Sequence, residues 1–313
     1  MSPRTRRDVL RLSALAAMAV PLAACRTGYS DEPDPLAPLA GQAAADAAAA
    51  DAAAANALAT GSSAEAALAR QVATARGEHA RVLQAEVDRL NRPSATAPVI
   101  TPDGGGLSAL KQRLATAREQ AERLVPGSDG YRAGLVAAVA AGCAGLQQLD
   151  DRLGPGADPG AVTPVGSVPE EAIGPLQQAL DAEHAAVWVY GLVSAFLPAN
   201  YGPGVADGAN EHHDRRDACV RMLDAAGATP NGPQPAYVTP KPVTDATSAK
   251  SVVATAESDT AVAWAGVLAR TDDTALRAVA LTALLGSARR GTRWRQAAGE
   301  SPAAVALIGV PAG

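Results

Sequence analysis

The sequence lacks a basic excess, a bilayer-length apolar run, any strand pattern and a ready supply of cysteine, and each shortage excludes something. Lys and Arg number 27 against 32 Asp and Glu, a formal charge of −5, whereas a nucleic-acid partner would call for a basic stripe. The apolar stretch from Leu12 to Ala24 is shorter than the roughly 20 residues a spanning helix needs. No alternation of apolar and polar residues competes with helical periodicity, so the fold class is all-α. No serine or cysteine nucleophile motif, phosphate-binding loop or dinucleotide fingerprint stands out. Aromatic residues make up only 3% of the chain, and all three tryptophans and the one phenylalanine lie beyond Ile173. Aromatic side chains bury the most area, so the better-defined core belongs to the C-terminal half.

What is present starts with an address. Thr5-Arg6-Arg7-Asp8-Val9-Leu10 has the twin-arginine form of an export signal, and the apolar run behind it ends in small residues. Leu22-Ala23-Ala24-Cys25 resembles the lipobox of bacterial lipoproteins, a resemblance that implies a diacylated Cys25 as the new N-terminus. Two acyl chains anchor stably, because each buried methylene contributes about 0.8 kcal/mol. The expected location is the extracytoplasmic face of the cell membrane, with the lipid anchor in the bilayer and envelope proteins as further partners. Removing residues 1–24 takes away four arginines and one aspartate, leaving 23 basic against 31 acidic side chains. Of the three cysteines, Cys143 and Cys219 then remain, and buried thiols are a simpler reading of them than a disulfide.

The chain divides by composition. Residues 1–24 are the signal and 25–40 a polar, proline-bearing tether. Residues 41–153 form an alanine-rich helical region, 154–167 a Gly/Pro linker, and 168–313 a second domain. "AAADAAAADAAAANALA" is helical by propensity but offers little area per side chain, so loose packing is expected there. Further helices are expected over Ala64–Leu90, Leu107–Leu124 and Tyr131–Leu153, with His79 a solvated side chain among Glu and Arg neighbours. Beyond the linker, helices are expected over Pro169–Phe196, about Val205–Ala226, Ser248–Arg270 and Asp273–Ala298. The long proline-laden connection between the second and third of these gives two hairpins joined by a crossover, the connectivity of a ferritin-like four-helix bundle.

"LQQALDAEHAAVWVYGLVSAFLP", "HHDRRDACVRMLDAAGATP", "PVTDATSAKSVVATAESDTAVAWAGVLA" and "SARRGTRWRQAAG" resemble an uncharacterised ferritin-like domain family. Its members are exported proteins and lipoproteins of high-GC Gram-positive bacteria, and the resemblance spans about residues 168–305. It implies a fold and no established activity.

Iron-binding relatives in the wider ferritin-like group take one glutamate from each of two helices and Glu-x-x-His from each of the other two. Residues three apart share a helix face, so both can reach one metal. Glu183 lies on a stripe with Leu176, Leu180 and Tyr190, and Glu257 on one with Val253, Thr260 and Trp264; both point inward. His212 lines up with Cys219 and Leu223, with His213 to one side. The position three before His212 is Ala209, where a ligand glutamate should stand. From Thr274 to Gly299 there is no aspartate, glutamate or histidine, and arginines take the place of ligands.

Two readings stand. In one, Glu183 and Glu257 pair with arginine and histidine in a cofactor-free polar interior, Glu257 with Arg289, in a non-catalytic protein. In the other, Glu183, His184, His212, His213 and Glu257 supply an atypical site for a transition metal.

Overall fold

Helices account for all the regular structure among the described residues, which are 32–90 and 105–310 of this computed structural model. Arg6, Arg7 and Cys25 lie outside them, and so do the signal and acylation expectations. The eight helices are α1 (Ala37–Ala59), α2 (Ser63–Leu90), α3 (Gly106–Leu124), α4 (Gly130–Leu146), α5 (Glu170–Val193), α6 (Gly202–Ala225), α7 (Ala246–Leu268) and α8 (Thr274–Ala298).

α1 lies along α2. Its buried positions Leu39, Ala43, Asp46, Ala50, Ala53 and Ala57 recur every three or four residues, one face of a 3.6-residue helix. The expected loose packing is corrected here: Ala43, Ala49 and Ala50 are at most 1% exposed. A methyl side chain buries little by itself, but it lets two backbones approach closely along their whole length. Residues 34–40, expected in the tether, are also part of the body. Leu36, Leu39 and Ala40 enter the main core, and buried Asp34 pairs with Arg132 of α4.

α4 is the centre of the molecule. Of its residues, all from Arg132 to Leu146 are buried, as expected of a helix apolar on every side. It packs against α2 and α3 on one flank and α7 and α8 on the other. One continuous core therefore joins Leu83, Leu135, Val136 and Val139 to Trp264, Leu268, Leu276 and Leu284. The Gly/Pro linker separates two stretches of sequence, while the core runs across both. Gly142 lets this happen at one tight spot: a Cβ there would collide with the Ala306 carbonyl and lie 2.6 Å from His79 Nε2.

α5 to α8 form the expected pair of hairpins, α5 packing on α6 and α7, and α7 on α8. Asp245 caps α7 in a reciprocal capping box with Ser248, Asp273 caps α8 through the Leu276 amide, and Gly299 ends α8 in the left-handed region. Residues 226–245 make the crossover. It is clasped to α5 where Gln177 donates to the Thr229 carbonyl at 2.7 Å and Asn231 donates to Asp181 at 3.1 Å. Cys143 and Cys219 are both free and buried.

Candidate functional site

The interior of α5–α8 is filled by a polar network. Glu183 of α5 and Glu257 of α7 reach His212 of α6 from opposite sides, and all three are 0% exposed. His212 Nδ1 lies 2.6 Å from Glu183 Oε2, and Nε2 lies 3.2 Å from Glu257 Oε1. A neutral imidazole donates from one nitrogen only, and two carboxylate acceptors call for two donors. Burial pushes the His212 imidazolium towards deprotonation, but Glu257 and Glu183 outweigh it and its pKa is raised. His212 is therefore an imidazolium bridging two carboxylates.

Each carboxylate has further donors. Trp264 Nε1 donates to Glu183 Oε1 at 2.7 Å. Glu257 Oε1 accepts from Tyr190 Oη at 2.5 Å and from Arg290 Nε at 2.7 Å, and Trp294 Nε1 donates to Tyr190 Oη at 3.1 Å. Burial opposes the Glu257 charge, yet Arg290 and His212 hold its pKa well below the ordinary carboxylate range. Outside this ring, Glu211 bridges Arg290 and Arg215, and Arg215 Nη1 donates to Ser287 Oγ at 2.8 Å. The glutamates Glu183, Glu211 and Glu257 are thus matched by His212, Arg215 and Arg290. Formal charge cancels, which is the condition for keeping so many ions out of water. Gly286 makes room for the outer pair, since a Cβ there would collide with Arg215 Nη2 and lie 2.7 Å from Glu211 Oε1.

The structure brings together Glu183, His212 and Glu257 and separates the other candidates. His184 is half-buried on the flank of α5, with Nε2 3.1 Å from the Asn231 carbonyl of the crossover. His213 is exposed. The expected Glu257–Arg289 pair is corrected to Glu257–Arg290. Arg289 turns away to the Pro155 and Gly156 carbonyls, because adjacent helix residues point about 100° apart.

These donors do not fit a two-metal centre. Both ring nitrogens of His212 are engaged, a guanidinium sits on Glu257, and the face of α8 turned inward presents Ser287, Arg290 and Trp294. Among the described residues no group of three or more His, Cys, Asp or Glu is arranged to hold a metal ion. Nor is there an activated nucleophile in either buried thiol, since burial raises the pKa of Cys143 and Cys219 and the thiolate is the reactive form.

A second buried network was missed by the sequence reading. His79, expected to be solvated, is 0% exposed, with Nε2 2.7 Å from the Ala306 carbonyl and Nδ1 2.9 Å from Arg76 Nη1. Burial first, and then Arg76, push its pKa down to about 3, so it is neutral, donating from Nε2 and accepting at Nδ1. Arg76 also donates to Asp46 Oδ2 at 3.0 Å and to Cys143 Sγ at 3.4 Å, and Arg113 reaches Asp46 Oδ1 at 3.1 Å. The signal was in the sequence: Val72, Arg76, His79 and Leu83 share one helical stripe.

The residues of the α5–α8 network fall within a stretch that matches known proteins. A family model described as a domain of unknown function (DUF4439) matches residues 175–312. The crystal structure of a conserved hypothetical protein from Mycobacterium tuberculosis is 35% identical, over 42% of this chain and 99% of that one, with a TM-score of 0.40. No curated protein matches the chain. Through residues 175–312, which carry Glu183, Glu211, His212, Glu257 and Arg290, the chain belongs to this family of domains of unknown function.

Proposed function

We propose that the protein is exported, held at the extracytoplasmic face of the cell membrane by acylated Cys25, and acts there through contacts with other envelope components instead of by catalysis. In this reading the bundle is ferritin-like in connectivity, with fixed positive charge where iron-binding bundles carry metal. One observation carries the reading: His212 and Arg290 already neutralise Glu183 and Glu257 inside a fully buried, charge-balanced ring. The twin-arginine form and lipobox supply the address.

The test has two arms. Mass spectrometry of the mature protein should show an acylated N-terminal cysteine, and Cys25→Ala should leave it unprocessed or released; an unmodified Met1 in membrane fractions would overturn the anchor. Protein purified without chelator should contain no stoichiometric transition metal. Added zinc, iron, manganese or copper should leave its melting temperature unchanged, because only an ion that binds the native state raises it. A metal-dependent rise lost in both Glu257→Gln and His212→Ala would establish the metalloprotein alternative.

A further inference from the structure

The crossover is held to the bundle by few side chains. Among the described residues, the hydrogen bonds that tie residues 229–243 to the helices all end on α5, at Gln177, Asp181 and His184. These positions are four and three apart, so they share one face of the helix. Asn231 makes all of these bonds but one. Its backbone N–H donates to Gln177 Oε1 at 2.9 Å, and its carbonyl accepts from His184 Nε2 at 3.1 Å. Its side-chain Nδ2 lies 3.1 Å from each carboxylate oxygen of Asp181. The remaining bond runs from Gln177 Nε2 to the Thr229 carbonyl.

The residue after this asparagine is a glycine. Asn56, Asn91, Asn200 and Asn210 each precede a residue with a side chain, and Asn231 alone precedes glycine. A backbone nitrogen can attack the side-chain carbonyl carbon of the asparagine before it, closing a five-membered ring. A Cβ on the attacking residue obstructs that approach, and glycine also reaches the backbone angles that ring closure needs. Gly232 is exposed, and a Cβ built on it would meet nothing within 4 Å.

We propose that Asn231–Gly232 is a site of spontaneous deamidation, and that the reaction releases the crossover from α5. The Gly232 nitrogen gives up its proton and bonds to Asn231 Cγ; the Cγ–Nδ2 bond breaks and ammonia leaves with that proton. Water then opens the cyclic imide at one of its two carbonyls, giving aspartate or isoaspartate. No oxidant or reductant takes part. The clasp sets the rate: while Asp181 holds Nδ2 and Gln177 holds the N–H, the side chain is not free to turn onto Gly232. Reaction therefore proceeds from local openings of the crossover. Its product cannot close the clasp again, because a carboxylate would stand where the amide donated, facing the carboxylate of Asp181. Both donors to Asp181 are lost, and like charges at that distance repel. Isoaspartate also adds a methylene to the backbone between the Gln177 and His184 contacts. Release would lift Tyr237 off Trp188, whose ring centres are 5.7 Å apart. It would open the slot of about 120 Å³ between α5 and α7, walled by Ala182, Ala185, Ala186, Val189, Val252 and Ala256. This site is independent of the proposed envelope role and can fail without affecting it.

The experiment ages the purified protein in mildly alkaline buffer and maps peptide masses at intervals. The mass gain of an amide becoming an acid is expected at Asn231, with the other four asparagines unchanged. Gly232→Ala, which has room for its methyl, should slow the gain severalfold, and Gln177→Ala should speed it severalfold by loosening the clasp. Hydrogen exchange over residues 226–245 should rise in step with the modification. A red shift of tryptophan emission should accompany it and be lost in Trp188→Phe. Asn231→Asp should reproduce the faster exchange without ageing, and adding Asp181→Asn to it should restore protection by exchanging the amide and the carboxylate. Asn231 intact after ageing, or Asn231→Asp as protected as the wild type, would overturn the proposal. So would failure of Asp181→Asn to rescue Asn231→Asp, since release would then not come from the facing carboxylates.

Discussion

His79 in α2 and His212 in α6 are equally buried, yet the molecule holds them in opposite charge states. Both lose their water, which by itself favours the neutral ring. His79 then meets a guanidinium and a backbone carbonyl, while His212 meets two carboxylates. The sign of the neighbours decides the outcome, and the consequences differ. The α1–α4 network needs a neutral hydrogen-bond relay from Arg76 to Ala306. The α5–α8 network needs a cation to close its charge balance.

The largest test of that difference removes one carboxylate from each side. Glu257→Ala takes one of two carboxylates from each of Arg290 and His212 and the acceptor from Tyr190, leaving the buried ring with one excess positive charge, and should cost on the order of 4 kcal/mol in denaturant unfolding, the range for breaking a buried ion pair. Asp46→Ala should cost less, because Arg76 keeps His79 and Cys143 as partners. Equal losses would mean that the two networks share one degree of charge closure.

The pH dependence separates the histidines by direction. His79 has a folded pKa of about 3 against an unfolded value near 6.5. Its contribution is complete above about pH 6.5 and is lost as pH falls, on the order of 2 kcal/mol by pH 5. His212 is raised, so its contribution is complete below the unfolded value and is lost as pH rises through the folded one. Denaturation midpoints across pH should show His79→Gln flattening the acid side and His212→Gln the alkaline side. The same slope in both variants would break the comparison.

A smaller effect is expected from Gly142→Ala. The added methyl must displace the Ala306 carbonyl or the His79 ring, a core overpacking that costs about 1–3 kcal/mol. Gly191→Ala, with nothing within 4 Å of the new Cβ, is its control. Hydrogen exchange in α2 should rise in the first variant only.

Much of this was legible beforehand. Helix positions followed from apolar spacing and from the Gly/Pro breaks, and the inward direction of Glu183, His212 and Glu257 followed from counting threes and fours. Partner identity was harder, since a shift from Arg289 to Arg290 turns the side chain by about 100°. Counting the stripe Leu276, Ala280, Ala283, Ser287, Arg290, Trp294 would have chosen correctly. Glu211 and Arg215, four apart on one helix, were likewise readable as a pair. His79 was misjudged because its chain neighbours Glu78 and Arg81 do face water. The joining of the two halves could not be read from composition at all, because it depends on which flank of α4 each neighbour covers.

The His79–Ala306 bond also bears on how the protein is made. Its two partners are 227 residues apart, and so distant a contact closes late. Until residue 306 has left the ribosome, the ring in α2 has no carbonyl to donate to, and α4 has no α7 or α8 against which to bury its second flank. The first half of the chain therefore spends most of its synthesis with apolar surface uncovered, a period in which a chaperone has something to hold.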